Sequence, residues 1–182
     1  MACTISSGRI EQCKDSVSGL KAIYFINYQI EPSHVTYDVT NTDMITAVTS
    51  VDSLYKFELK STENTFEQTI NSDRNNGTTF FTQTLNAKLK KQDVTTSKVV
   101  KLLAYGRPHV VISTNSGQFF LMGLNHGADL TAGALSSGGA LGDFNGYSLT
   151  LEAMEECYAN FLNASSESAM VTLFTSATLV VG

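Results

Sequence analysis

The side chains that could do chemistry are few and far apart. The three histidines are His34, His109 and His126. Only His126 has a second ligand type close by, in His126-Gly-Ala-Asp129. A bound metal needs three or four converging ligands, and this pair supplies two. Glu152, Glu155 and Glu156 are the densest carboxylates. Glycoside hydrolysis needs two carboxyls facing each other across a cleft, whereas acids at one strand end read as a solvated face. Cys157 directly follows Glu155-Glu156, a setting that raises a thiol pKa and so opposes nucleophilic use. It reads as a small packed apolar group. The GxSxG elbow and the Walker and dinucleotide fingerprints are absent. Gly138-Gly139 with Gly142 lacks the lysine a phosphate loop needs. No catalytic residue, metal site or cofactor is expected.

The bulk properties narrow the class. The 182 residues fit one domain, 1–182, able to bury a core. Charged residues make up 16%, below the roughly 25% usual for soluble domains, and Ser, Thr and Asn take their place. Such a surface can be buried against a copy of itself at modest desolvation cost. Charge is uneven. Residues 61–110 hold seven Lys/Arg and four Asp/Glu, whereas residues 111–182 hold six Asp/Glu and neither Lys nor Arg. The two regions could complement each other between neighbouring copies. The run Lys88, Lys90, Lys91, Lys98, Lys101 and Arg107 has little aromatic interleaving, which disfavours nucleic-acid binding. Three cysteines without a CxxC pair argue against a disulfide framework. The opening residues have no apolar stretch of the secretory kind, so a soluble, unexported chain is expected. The sequons at Asn76 and Asn163 are accordingly set aside.

The elements that must carry these residues are mostly strands. Leu20–Tyr28 is aromatic and β-branched. In 54–60, Tyr55, Phe57 and Leu59 alternate with Lys56, Glu58 and Lys60, the mark of a half-buried strand. Asn71–Gly77 predicts a hairpin turn, because Asn76-Gly77 tolerates positive φ. The outgoing strand 78–89 puts Phe81, Leu85, Ala87 and Leu89 on one face and Thr82, Thr84, Asn86 and Lys88 on the other. Thr95 or Thr96 is expected to cap one short helix, with Val99, Leu102 and Leu103 as its apolar stripe and Gly106 and Pro108 as its stop. Residues 109–114 and 118–124 read as a second hairpin. Gly127–Gly142 reads as a Gly-rich loop that orders against a partner. The strand 147–152 turns Tyr147, Leu149 and Leu151 inward and Ser148, Thr150 and Glu152 outward. One more strand or hairpin closes the chain over 170–181. The expected fold is mainly β with one short helix, its antiparallel sheets forming a small barrel or sandwich.

The order TTFFTQTLNAKLKK, QDVTTSKVVKLLAYG, RPHVVISTNSGQFFLMG resembles the core of bacteriophage tail tube proteins, shared with the type VI secretion tube. A second segment is similar to tail tube or related virion proteins in phages of Bacteroidetes. It carries Gly142-Asp143, Asn145-Gly146-Tyr147, Leu149-Thr150-Leu151 and Glu155, with Ala159 and Phe161 after them. The start of the chain, ACTISSGRIEQC onward, is similar in style. The likeness spans about two thirds of the chain. It departs at Cys157-Tyr158-Ala159, where a proline is usual, and over His34–Ser53, which has no counterpart.

The resemblance implies a virion subunit with no enzymatic activity. Several copies, six in the family, join sheets into a ring, and rings stack into a tube that conducts DNA without sequence-specific binding. Its partners would be other copies, a tape measure and a terminator, with no membrane binding by the subunit. Thr82, Thr84, Asn86, Ser148, Thr150 and Glu152 are the candidate channel face, since acidic or neutral groups let phosphate slide past. Lys88 does not suit that face and is expected at an interface or outside. Asn76, Gly77, Lys88, Lys90, Lys91, Asp129, Gly139 and Asp143 are the candidate contacts between subunits or rings. Two alternatives stay open: another phage ring, such as a head–tail connector, terminator or hub, and a carbohydrate-binding β-sandwich. The absence of Trp weighs against the second.

Overall fold

A computed structural model describes residue 5, residues 7–60 and residues 62–182. Its elements form two sheets. In chain order they are β1 (Leu20–Ile26), β2 (Val35–Tyr37), β3 (Met44–Val48), β4 (Ser53–Glu58), β5 (Thr65–Asp73), β6 (Thr78–Lys90), α1 (Val94–Tyr105), β7 (His109–Thr114), β8 (Phe119–Met122), β9 (Asp129–Ser136), β10 (Gly146–Glu155), β11 (Asn160–Leu162), α2 (Glu167–Leu173) and β12 (Thr178–Val181). The larger sheet has eight strands in the order β12-β4-β1-β7-β8-β11-β3-β2. The smaller has four, in the order β5-β6-β10-β9. The protein is mainly β, as the alternation predicts. Of the two expected shapes it takes the sandwich: neither sheet closes into a barrel.

Two cores hold the fold together. Between the sheets, Ile23 and Phe25 of β1 and Val110 and Ile112 of β7 belong to one cluster with Leu85, Ala87, Leu149 and Leu151 of the smaller sheet. Leu103 of α1 and Tyr147 join that cluster. On the other face of the larger sheet, Tyr24, Ile26, Ile45, Leu54, Val111 and Leu121 enclose Met170 and Phe174. β1 and β7 are therefore covered on both faces. That is why their sequences run as near-continuous apolar stretches and do not alternate.

Polar groups buried between the sheets are paired. Gln83, 1% exposed, is the one buried polar side chain of β6. Its amide donates to the Cys157 carbonyl at 3.2 Å and accepts from the Gly123 N–H at 3.1 Å, tying the smaller sheet to the end of β8. Leaving such an amide unpaired in a dry interior would cost about 1–3 kcal/mol.

Several elements differ from the sequence reading. Only part of Gly127–Gly142 is loop: its centre is β9, hydrogen-bonded along β10 from Gly146↔Ser136 to Glu152↔Asp129. Residues 170–181 hold most of α2, capped by the Ser166 side chain on the Ala169 N–H, before β12 begins. The helix α1 is capped by Asp93, whose carboxylate accepts from the Thr96 N–H at 2.7 Å; Thr95 and Thr96 lie inside it. A carboxylate at the positive helix end is the stronger cap. Within α1, Leu103 is buried but Leu102 is exposed. β4 is not solvated on its Lys56 face. Leu54 is buried there, and Lys56 reaches Glu167 of α2 at 2.7 Å.

Candidate assembly surface

The outer face of the smaller sheet is polar across its middle rungs. β6 and β10 pair in register, placing Thr84 opposite Glu152, Asn86 opposite Thr150 and Thr82 opposite Met154. Since Leu85, Ala87, Leu149 and Leu151 point into the core, the six predicted face residues all point the other way, and each is half-buried. Thr150 donates its hydroxyl to the Asn86 side chain at 2.9 Å. Lys88 shares this face, in the rung of Ser148, as the alternation along β6 predicts. Its ammonium is turned aside, 2.6 Å from Glu63 and 5.5 Å from the centre of the Phe144 ring.

The flanking strands extend the rungs. β5 pairs Glu67 with Thr84, and β9 pairs Asp129 with Glu152. One rung therefore reads Glu67, Thr84, Glu152, Asp129, with three carboxylates on a single line across the sheet. Like charges directly opposite destabilise a sheet. Arg107, 3.6 Å from Asp129, offsets part of that repulsion. A fold that keeps such a line against its own stability suggests a use for it. Glu67 escaped the sequence reading, although counting register back through the Asn76-Gly77 turn reaches it.

Both outer strands of this sheet are edges. Among the described residues β5 pairs only with β6, and β9 only with β10. From Thr131 to Leu135, β9 is exposed and consists mostly of Thr, Ala and Gly. Long open edges are pairing sites, and proteins usually protect them with charge, proline or cover. The β9 edge has little such protection, and its small side chains leave room for another strand.

The predicted contact residues fall into three groups. Asn76 and Gly77 are at the tip of the β5–β6 hairpin, where Gly77 takes φ 65° and Asp73 accepts N–H groups from Asn75 and Asn76. Lys88, Lys90, Lys91, Gly139 and Asp143 cluster at one end of the sheet. There the Lys91 N–H donates to the Asn145 carbonyl at 2.8 Å, and the Asp143 carboxylate accepts from Gly139 at 2.9 Å and Ala140 at 2.7 Å. Those bonds hold the Asp143 carboxyl below the usual range. Asp129 sits apart from this group, at the opposite end of β9.

The residues that could do chemistry take other partners. His126 faces Glu155, not Asp129, with Nδ1 3.3 Å from the carboxylate. Glu152, Glu155 and Glu156 do not form one solvated face. The Glu155 side chain is 2% exposed and accepts N–H groups from Asn125 and His126. Cys157 is exposed, not packed; partial desolvation, then Glu155, Asp43 and Glu156, pushes its thiol pKa up. Among the described residues no three His, Cys, Asp or Glu side chains converge as metal ligands, and no helix is long and apolar enough to cross a membrane. Comparison with protein-family models, curated proteins and solved structures finds no match.

Proposed function

We propose that the protein is a structural subunit of a phage tail tube. Copies join the β5 edge of one smaller sheet to the β9 edge of the next, closing a ring, and rings stack into a hollow tube that conducts DNA during ejection. One observation carries this reading. The smaller sheet has two open edges and a polar outer face crossed by a line of carboxylates. Ring closure removes both edges at once.

Strand geometry supports the scale. Six copies of a four-stranded sheet, with strands about 4.8 Å apart and tilted by roughly 35–45°, give a barrel about 45–50 Å across its backbone. That bore exceeds the width of a DNA duplex. Glu67, Glu152 and Asp129 would then line it as acidic belts that repel phosphate, so the duplex passes without being bound. The subunit would be made in the host cytoplasm and reside in the virion, with a tape measure and a terminator as neighbours.

The test is negative-stain electron microscopy of the purified protein across a concentration series. Stacked hollow tubes support the proposal. Rings that never stack point to a connector, terminator or hub. A monomer at every concentration overturns the assembly reading and favours a binding module.

A further inference from the structure

The two ends of the molecule differ in a way that suits head-to-tail contact. At one end, residues 137–145 form a tight loop that carries Leu141, which is fully exposed. The loop is built rigidly. The Asp143 carboxylate holds the N–H groups of Gly139 and Ala140, Gly138 takes φ 71°, and Gln92 donates to the Ser136 carbonyl at its base at 2.7 Å. A leucine held out by a prearranged backbone loses little freedom on docking. Lys90 and Lys91 stand at the base of this loop, where β10 begins, and Lys88 close by is paired with Glu63.

At the other end lies an apolar groove of about 460 Å³ between α1 and the ends of β1 and β4. Phe25, Tyr55, Val99, Leu102 and Leu103 line it. Its position follows from the register. Ile26 pairs with His109, and Tyr28 donates its hydroxyl to Asn125, whose N–H is held by Glu155 at the far end of β10. The loop joins β10 at Gly146, the opposite terminus of that strand. Arg107 borders the groove and also a second hollow that holds Asp129, Glu152 and Glu156. An apolar knob on a loop with lysines at its base thus lies at one end of the strands, and an apolar groove, bordered by Arg107 and next to a hollow with three carboxylates, lies at the other.

We propose that Leu141 of one copy inserts into the α1 groove of a second copy stacked head to tail, with the lysine end set against the carboxylate end. The occupant is another copy of this chain, because knob and groove lie at opposite ends and their flanking charges are complementary. This contact rests on the tube reading and names its axial interface.

Two measurements test it. A photo-crosslinking amino acid is placed at position 141 of the otherwise native chain, and intermolecular products are mapped by mass spectrometry. The expected attachment is to Tyr55 or to the 99–108 segment. Attachment elsewhere, or none at any concentration, overturns the contact. In parallel, Leu141→Asp and Leu102→Asp, both at exposed positions, are imaged beside the wild type. Each is expected to raise the protein concentration needed for tube growth about tenfold or more while rings still close. Tubes that form as in the wild type overturn the proposal. The mapped groove crosslink without any rings would sink the tube reading and keep the contact; stacking rings with another crosslink would do the reverse.

Discussion

His109 makes the fold sensitive to acid in a way that can be measured. The residue is fully buried, and its ring stacks on Tyr28 with centroids 4.9 Å apart. Nε2 faces two backbone N–H donors, Ile30 at 3.1 Å and Gln29 at 3.3 Å, so it must be the acceptor. Nδ1 therefore carries the proton and donates to the Gly123 carbonyl at 2.6 Å. A second proton on Nε2 would point a donor at two donors. Burial lowers the His109 pKa below its ordinary value of 6.5, against smaller raising effects from the Gly123 carbonyl and Glu155. The sign follows. Below 6.5 the unfolded chain takes up a proton that the folded chain refuses, so this stability is complete above 6.5 and is lost as pH falls toward the folded pKa. One proton sets a ceiling of about 1.4 kcal/mol per pH unit on the slope.

His109→Phe keeps a ring beside Tyr28 but removes all three hydrogen bonds. Orphaning the buried Ile30 N–H should cost about 1–3 kcal/mol at pH 7.5. The assay is urea denaturation followed by far-ultraviolet circular dichroism at several values from pH 7.5 to 5, at concentrations too low for assembly. The wild type should lose stability relative to the variant as pH falls, so that the two curves converge. Parallel curves would refute the reasoning, because the acid sensitivity would then belong to other groups.

Three further outcomes are expected. Gly146→Ala should destabilise by more than about 3 kcal/mol in the same denaturation assay, since a Cβ there would lie 2.0 Å from the Leu89 carbonyl oxygen in the β6 backbone. Leu151→Ala, emptying a fully buried site between the sheets, should cost about 2–5 kcal/mol in chemical denaturation. Glu67→Lys with Glu152→Lys should leave chemical stability within about 1 kcal/mol, because both groups lie on the outer face. If the sheet lines a channel, the assembled variant should retain DNA in a filter-binding assay at low salt and release it as salt rises.

What could be read from the sequence was whatever the residues settle locally. The hairpin at Asn76-Gly77, the inward and outward faces of β6 and β10, and the existence of α1 all follow from turn chemistry and periodicity. What could not be read depends on distant partners. β9, with DLTAGALS, lacks the β-branched and aromatic residues that mark strands; only the β10 backbone beside it makes it one. The Lys56 face of β4 looks solvated until α2 packs over it. The line of carboxylates spans four strands, so no single segment shows it.

The parallel pairs in the larger sheet also govern when the fold can be completed. β12 lies along β4 and β11 along β3, each pair joining strands roughly 120 residues apart in the chain. Met170 and Phe174 enter the second core with that same late segment. During synthesis β3 and β4 must therefore wait, with Ile45 and Leu54 uncovered, until most of the chain has been made. The expected result is slow folding through an intermediate with an exposed apolar surface and unpaired strand edges, the kind of species on which chaperones act.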